Sequence, residues 1–311
     1  MKIYSDLQDF SVTKPIVTIG TFDGIHLGHR SVIDDLLSIA KTHKGESVIF
    51  TFDPHPRQVV FPNENKLRLL TTPEEKTALM SELGVDHLVI YPFTSQFASM
   101  DYHEFVRDIL VKKMHLSHLV IGYDHRFGKN REGSFEFLST CASQLGFGIT
   151  QLQALEFDHI NISSTKIRNA LEKGDILTAN EFLGYSYQLT GNVVKGDQLG
   201  RTIGFPTANI QASHPDKLIP GHGVYAVNVK VEDAVYQGML NIGTRPTVSN
   251  ADRRSIEVHI FNFSKDIYDK AITLYFEQKI RDERRFDNIY DLKNQLEADK
   301  IVTQKLLNGL Q

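Results

Sequence analysis

The chain has 311 residues, with 34 Lys and Arg against 38 Asp and Glu, so its formal net charge is −4. Hydrophobic residues make up 41% and charged residues 23%, ordinary globular usage that argues against a disordered, collagen-like or coiled-coil chain. Because single hydrophobic cores stop growing at roughly 250–300 residues, this length predicts two domains.

The two halves of the chain carry different but small net charges. Divided near Gly184, the first part holds 18 Lys and Arg against 23 Asp and Glu, a balance of −5, and the second holds 16 against 15. Nucleic-acid-binding domains normally show a strong basic excess or a basic stripe. We therefore expect no nucleic-acid partner, and any phosphate that this protein binds should belong to a small molecule.

The cysteine count and the hydropathy of the chain indicate the cellular compartment and exclude some kinds of site. The single cysteine, Cys141, excludes an intramolecular disulfide and a multi-thiolate metal site, and its surroundings indicate a packed thiol inside a helix, with a reactive thiol as the alternative. The first residues do not resemble a secretory signal, and no apolar run approaches the ~18–20 residues that span a bilayer. We expect a soluble, cytoplasmic protein without a membrane partner.

From residue 16 to about residue 163, short apolar runs alternate with amphipathic stretches, a pattern typical of βαβ units. Strands are predicted over 16–20, 47–52, 87–91, 118–122 and 148–152. Helices are predicted over 28–43, 72–84, 101–114 and 135–145. The second helix opens with Thr72 as N-cap, Pro73 in the first turn and Glu75 completing a capping box. The pattern predicts a doubly wound α/β domain with a parallel sheet, whose ligands bind at the carboxyl ends of the strands.

After residue 183 the pattern changes to β-branched and aromatic runs separated by turns. Strands are predicted over 185–195, 223–231, 235–242, 256–263 and 272–280, which favours an antiparallel sheet or a small closed barrel. Residues 288–307 return to helical spacing, with expected core contacts at Leu292, Leu296, Ile301 and Leu306. Two short helices ending at Gly174 and Gly184 precede the change, so we predict domains over 1–184 and 185–311.

Residues 20–29, Gly-Thr-Phe-Asp-Gly-Ile-His-Leu-Gly-His, lie where the first predicted strand ends and the first helix begins. A helix N-terminus offers unpaired N–H groups and a partial positive charge, so it favours phosphate binding. Gly24 and Gly28 let the backbone approach a ligand, while His26 and His29 add donors that stabilise a phosphorus transition state. A metal site and simple capping are the alternatives, although no third metal ligand follows at a helix-compatible offset.

Residues 163–168, Ser-Ser-Thr-Lys-Ile-Arg, open a short helix after the predicted sheet. Capping of that helix by the hydroxyl groups is the simplest interpretation. In company with the histidine motif, Lys166 and Arg168 are also suited to bind the β- and γ-phosphates of a nucleotide whose α-phosphate faces the two histidines.

Two further patterns lie in the second half. The glycines and proline of residues 191–210 would, taken alone, predict a long loop with tight turns. Residues 255–261 alternate, which places Glu257, His259 and Phe261 on one face of a strand. A carboxylate in such a position is usually solvated.

Together these segments resemble the bacterial bifunctional riboflavin kinase/FAD synthetases. Residues 20–29 and 163–168 are similar to two motifs of that family's adenylyltransferase module, and residues 51–56 and 122–128 are similar to its strand-end loops. Gly-Phe-Pro-Thr-Ala-Asn at 204–209 matches the flavokinase signature. The resemblance covers nearly the whole chain, with six motifs in family order.

The resemblance implies a nucleotidylyltransferase domain followed by an antiparallel β-barrel flavokinase domain with terminal helices. The barrel is expected to phosphorylate riboflavin with ATP, and the first domain to transfer AMP from ATP to FMN, giving FAD and pyrophosphate. Mg²⁺ is the implied cofactor of both steps. The alternatives are that one module alone is active, or that the protein is a non-catalytic flavin-binding regulator; the oligomeric state stays open.

The resemblance also implies the residues of the kinase site. Glu257 is expected to be the general base that takes the proton of the ribityl 5′-hydroxyl as it attacks the γ-phosphate. Thr207 and Asn209 are expected to supply oxygen ligands to Mg²⁺, in keeping with the preference of that ion for hard oxygen donors.

In the adenylyltransferase site, His26, His29 and Arg168 are expected to be catalytic. The expected nucleotide- or phosphate-binding residues of the two sites are Gly20, Phe22, Asp23, Gly24, Gly28, Ser163, Ser164, Thr165, Gly196, Gly200, Arg201, Gly204 and Pro206. The expected flavin-binding residues are Asp53, His55, Asp124, Phe127, Arg245, Arg281 and Glu283. For Asp53 and Asp124, simple turn capping is the alternative.

Overall fold

A computed structural model describes residues 1–62, 67–122, 135–153, 156–157, 160–196, 199–244 and 254–309. At 156–157, 160–161 and 199 it describes the backbone alone. The chain forms two compact units, Met1–Ile162 and Ser163–Gln311. Within the described ranges, no helix is both long enough and apolar enough to cross a membrane.

The first unit is built on a parallel sheet. Its strands are β1 (Lys2–Tyr4), β2 (Pro15–Ile19), β3 (Glu46–Asp53), β4 (His87–Pro92), β5 (His118–Ile121) and β6 (Gly148–Gln151). They lie in the order β1-β4-β3-β2-β5-β6, with every neighbouring pair parallel. The strand order reverses at β2, so the crevice for ligands lies at the carboxyl end of that strand. The predicted doubly wound sheet is confirmed, and β1 is an edge strand that the sequence pattern did not predict.

Helices cover the sheet between the strands. They are α1 (Leu27–His43), α2 (Pro56–Val60), α3 (Pro73–Glu82), α4 (Ser95–Ala98), α5 (Tyr102–Glu104), a π-helix (Phe105–Lys113) and α6 (Phe135–Leu145). A two-stranded ribbon of β7 (Glu156–Phe157) and β8 (Ile160–Asn161) follows. The capping box predicted for α3 is confirmed, because Glu75 N–H donates to the Thr72 hydroxyl while Thr72 N–H donates to the Glu75 carboxylate.

The helix predicted over 101–114 differs from expectation, since most of it is π-helical. Met114 N–H donates to the carbonyl of Ile109, five residues back. Val106, Leu110 and Met114, spaced four apart, are all fully buried. Their spacing of four keeps the three side chains close to one face of the helix, and that face packs into the core of the first unit.

The lone cysteine lies in the core of the first unit. Cys141 is 6% exposed and packs in a cluster with Leu138 and Ala142 of the same helix. Burial raises the pKa of its thiol, which lowers the thiolate fraction near neutral pH. The structure therefore agrees with a packed thiol.

The second unit begins with α7 (Ser164–Lys173) and α8 (Ile176–Leu183) and continues into a barrel. The later elements are β9 (Gln188–Val194), α9 (Leu199–Thr202), β10 (Ala208–Ala212), β11 (Gly223–Val231), β12 (Ala234–Thr244), β13 (Arg254–Ile260), β14 (Ala271–Arg281) and α10 (Ile289–Asn308). The six strands close in the order β10-β13-β12-β11-β14-β9, and every paired neighbour is antiparallel. The predicted closed barrel is confirmed, with β10 as a strand that the glycine-rich pattern hid.

The two short helices pack on the barrel strands. The Asn180 amide donates to the Phe276 carbonyl at 2.8 Å and its oxygen accepts from Tyr187 N–H at 2.8 Å. Gly221 N–H donates to the Leu171 carbonyl at 2.9 Å. By these contacts, α7 and α8 belong with the barrel. The domain boundary expected from the sequence lies after them, near Gly184. As the boundary between the two activities, it stays a prediction.

The last helix, α10, packs largely on the expected face, since Leu292, Leu296 and Leu306 are half-buried and Leu296 packs against Phe205, Met239 and Phe261. Asp299, Thr303 and Leu307 are its buried residues, whereas Ile301 is 67% exposed, so its predicted core contact is wrong. The reason is the ion pair of Asp299 with Arg281 of β14, which turns the 299–303–307 row toward the barrel. The spacing of apolar residues alone did not indicate that the Asp299 carboxylate would face the barrel.

Candidate active sites

The histidine motif lies between β2 and α1, at the point where the strand order reverses. His26 is the N-cap of α1, and its Nδ1 accepts from His29 N–H at 3.3 Å. The two imidazole rings stack, with centroids 3.7 Å apart and planes inclined by 14°. A Cβ on Gly28 would lie 3.3 Å from the His26 ring, so glycine leaves room for the cap. Both histidines therefore lie where the phosphate site was predicted.

His29 is held as a neutral ring in a confined position. Its Nδ1 is buried without a hydrogen-bond partner among the described residues, and the Phe22 ring lies 5.2 Å away. Burial, reinforced by electrostatic contributions from His26 and from the Lys76 ammonium, holds the pKa of His29 well below 6.5. A buried polar atom without a partner is uncommon in folded proteins, which fits a site completed by a ligand.

The loop before α1 is shaped by left-handed backbone and by bonds to a distant segment. Gly24 has a φ of +89°, a conformation that glycine adopts without strain. Its N–H donates to the Thr71 hydroxyl at 3.1 Å. Asp23, which was predicted to bind nucleotide, is 1% exposed and accepts from Leu70 N–H at 2.9 Å and Thr71 N–H at 3.1 Å. In the structure Asp23 therefore links this loop to the segment before α3.

The flavin-binding residues predicted near the end of β3 differ in exposure and in hydrogen bonding. Asp53 is exposed at the end of β3. His55 is the N-cap of α2, and its Nδ1 accepts from Arg57 N–H at 3.1 Å. The predictions for Asp124, Phe127 and Arg245 fall outside the described residues.

The Ser163 motif forms the start of α7. Ser163 is the N-cap, and its hydroxyl accepts from Lys166 N–H at 3.4 Å, so the capping interpretation describes this residue. Ser164 and Arg168 are half-buried and Thr165 is exposed, whereas Ile167 is fully buried and anchors the helix.

Strand register brings the predicted kinase residues together. Glu257 of β13 lies opposite Asn209 of β10 on one side and Asn241 of β12 on the other. Val224 of β11 in turn pairs with both Asn241 and Arg281 of β14. Residues far apart in sequence thus form one row across five strands, which we call the barrel row.

A cleft of about 230 Å³ follows the barrel row. Of the residues predicted for this site, Gly200, Thr207, Glu257, Arg281 and Glu283 line it. Pro206 and Gly204 lie exposed on either side of the buried Phe205, and Arg201 is exposed on α9. A Cβ on Gly196 would overlap the Asn209 carboxamide, so this glycine allows the amide to settle against the backbone.

Arg281 forms part of the cleft wall and is fixed from outside the barrel. Its Nη2 lies 2.7 Å and its Nε 3.0 Å from the two oxygens of Asp299, whose side chain is 2% exposed. The neighbouring Glu283 lies 3.5 Å from His222 Nδ1. The guanidinium therefore connects α10 to β14 beside the cleft.

Sequence reasoning assigned no role to three polar residues beside the sites, although the segment that begins at Asn241 also matches the family. Asn241 lines the cleft next to Glu257. His259 Nδ1 lies 2.7 Å from the Pro206 carbonyl, and burial lowers the pKa of this histidine. The alternation of residues 255–261 already placed His259 beside Glu257, which was a usable signal. Lys76 of α3 is 8% exposed, and nothing in its charged helical segment indicated burial.

Comparison with known proteins identifies both halves. The FAD synthetase family model matches residues 10–166, and the riboflavin kinase model matches residues 183–307. A bifunctional riboflavin kinase/FMN adenylyltransferase of Listeria monocytogenes is 38% identical over 296 residues, 95% of this chain and 93% of that protein. The chain belongs to the bifunctional riboflavin kinase/FMN adenylyltransferase family. Its counterpart from Escherichia coli K12 is 36% identical, over 93% of this chain and 92% of that protein.

A solved structure has the same fold as this chain over nearly its whole length. It is from Streptococcus pneumoniae, carries the name macrolide-efflux protein, and is 31% identical with a TM-score of 0.88, over 97% of this chain and 98% of that one. The protein has two activities, phosphorylation of riboflavin and adenylylation of FMN. The histidine motif lies within the FAD synthetase match, and the barrel row within the riboflavin kinase match.

Proposed function

We propose that Glu257 is the general base of riboflavin phosphorylation. It lies half-buried at the centre of the barrel row, on the wall of the cleft and between the amides of Asn209 and Asn241. Its carboxylate takes the proton from the ribityl 5′-hydroxyl as that oxygen bonds to the γ-phosphorus. The bond to the β,γ-bridging oxygen breaks, and ADP leaves. The central place of Glu257 in the row is the observation on which this proposal depends.

Thr207 and Asn209 are the proposed protein ligands of Mg²⁺. Their hydroxyl and amide oxygens suit a hard cation that retains waters and shares substrate phosphates. Among the described residues, no group of three His, Cys, Asp or Glu could hold a metal, which supports a shared ion over a dedicated cage. When bound, the ion would offset the charge that develops on the phosphate oxygens. Gly196 supports this role by letting the Asn209 amide lie against the backbone.

His26 and His29 are the proposed donors to the α-phosphate in FMN adenylylation. The phosphate of FMN is already an anionic nucleophile, so positioning and charge neutralisation are enough and no general base is needed. Its oxygen bonds to the α-phosphorus of ATP while pyrophosphate leaves. Lys166 and Arg168 are the proposed partners of the departing phosphates. The negative balance of residues 1–184 supports a small-molecule ligand over nucleic acid here.

Two variants of the full chain test the separate assignments. Glu257→Gln keeps the shape of the side chain but removes the base, so FMN formation should fall by about 10²–10⁴-fold. FAD formation from supplied FMN should persist, as measured by chromatography of the flavins. His29→Ala should give the reverse pattern, followed as pyrophosphate release. Loss of both activities in either variant would contradict the assignment of separate sites.

A further inference from the structure

Lys76 is a buried lysine at the edge of the histidine site that the reaction steps above do not use. It extends from α3, is 8% exposed, and its Nζ donates to the Thr21 carbonyl at 2.8 Å. The same Nζ lies 3.4 Å from the Thr51 hydroxyl, which also donates to the Thr21 carbonyl, at 3.1 Å. Burying an ammonium group is costly unless it is bonded and paired, so its position here needs a reason.

The bonds of Lys76 join three elements at the carboxyl edge of the sheet. Thr21 lies two residues after the end of β2, in the loop that ends at His26, and Thr51 lies near the end of β3. Two residues after the start of that loop, Asp23 is bound by the N–H groups of residues 70 and 71. Gly24 N–H is bound by the hydroxyl of Thr71. Residues 70–76, which we call the bracket, therefore hold residues 21–24 at three points.

The charges around Lys76 also connect it to the histidines. The carboxylates of Asp23 and Asp53 favour its charged form, against a burial that lowers its pKa. From the start of α1, His26 and His29 face the same region, and the Lys76 charge contributes to the lowered pKa of His29. An ammonium at this place thus acts on both the position of the loop and the charge state of its second histidine.

We infer that Lys76 is a positioning residue for FMN adenylylation, whose ammonium fixes the Thr21 carbonyl and with it the loop that carries His26 and His29. This inference rests on the proposed assignment of those histidines to adenylyl transfer. Lys76 acts through its bonds to the loop and to Thr51 rather than by binding substrate. A misplacement of reacting groups by about 1 Å can cost about 10²-fold in rate, so a loosened loop should be visible in kcat.

The test compares Lys76→Met and Lys76→Arg with Lys113→Met, an exposed lysine of the π-helix, all in the full chain. Lys76→Met should lower kcat for FAD formation from FMN by about 10²-fold, with KM for ATP and FMN changed by less than about threefold. Lys76→Arg should recover most of this loss. Riboflavin phosphorylation is an internal measure of folding, and it should stay at the wild-type level in all three variants.

A second measurement separates positioning from a merely structural role. Titration of the His29 ring by NMR should show a higher pKa in Lys76→Met than in wild type, and an unchanged pKa in Lys113→Met. FAD formation within twofold of wild type in Lys76→Met, or an unchanged His29 titration, would overturn the inference. If Lys76→Met loses both activities through unfolding, the Lys76→Arg variant decides, and a 10²-fold loss there with intact kinase activity would also overturn it. Wild-type FAD formation in His29→Ala would instead defeat the proposed assignment of the histidines, and with it the premise of this inference.

Discussion

His29 shows how one buried side chain ties the histidine site to pH. Its pKa lies well below 6.5 in the folded protein because of burial, with smaller electrostatic contributions from His26 and Lys76. The unfolded chain therefore binds a proton more readily than the folded one, and protonation favours unfolding. The free energy of unfolding should be fully retained above pH 6.5 and should fall as the pH drops through 6.5 toward the lowered pKa.

Urea unfolding of wild type and His29→Gln at pH 7.5 and pH 5.5 measures this contribution. Wild type should lose more stability on acidification than the variant, by at most about 1.4 kcal/mol, because pH 5.5 lies one unit below the ordinary histidine pKa of about 6.5. His118 and His259 also have lowered pKa values, but both proteins share them, so the difference isolates His29. Equal losses in the two proteins would show that His29 does not titrate in this way.

At the same scale, the sequence indicated some site residues and hid others. His26 and His29 were predicted from the order of residues in the 20–29 motif, whereas Glu257 was predicted from the family resemblance, because its strand position alone favoured a solvated carboxylate. Lys76 was not, because Glu74, Glu75 and Lys76 together have the composition of an exposed helical turn. Its burial depends on contacts with Thr21 and Thr51, 55 and 25 residues away, which no local pattern contains.

Among the elements, α10 depends on one buried carboxylate. Asp299 binds the Arg281 guanidinium with both oxygens and also accepts from the Gln295 amide at 2.7 Å. Removing one partner of a buried ion pair leaves the other charge uncompensated, at a cost of about 3–5 kcal/mol. Asp299→Ala should therefore destabilise the barrel unit by about 3 kcal/mol and, because Arg281 lines the cleft, raise KM for the kinase substrates.

Loss of riboflavin kinase activity with increasing urea reports on this unit. Glu297→Ala, an exposed change on the same helix, is the matched control and should leave the urea midpoint unchanged. Coincident midpoints for the Asp299 and Glu297 variants would mean that the Arg281 pair contributes no net stability.

Strands and helices were predictable where the local spacing of apolar residues matches the pattern of burial. The strand over 223–231 and the helix over 135–145 have the bounds that the sequence predicted, because the apolar, β-branched run of the strand and the apolar spacing of the helix match their burial. In contrast, β10 is short and follows the turn-rich residues 200–206, and its strand character comes from pairing with β9 and β13. Pairing of that kind is a property of the whole barrel, so local pattern did not reveal it.

At the scale of the whole molecule, the packing of α7 and α8 determines where the chain can be divided into fragments that fold. Leu171, Ile176, Ala179 and Leu183 of α7 and α8 are almost fully buried, and Asn180 bonds to two barrel residues. A fragment 163–311 keeps this packing, whereas 185–311 loses it. Each lost hydrogen bond costs about 1 kcal/mol, and each fully buried Leu or Ile contributes about 1.5–3 kcal/mol.

We therefore expect fragment 163–311 to retain riboflavin kinase activity and to melt at least about 10 °C above fragment 185–311, since 1 kcal/mol shifts the melting temperature by roughly 4 °C at this size. If Arg168 binds the departing phosphates as proposed, fragment 1–162 should form no FAD, and fragment 1–184 should restore that activity. The same helix, α7, would then be required by both modules, by one for its motif and by the other for its packing. Equal melting temperatures for the two barrel fragments, with equal kinase activity, would place the boundary at Gly184 and leave α7 to the adenylyltransferase alone.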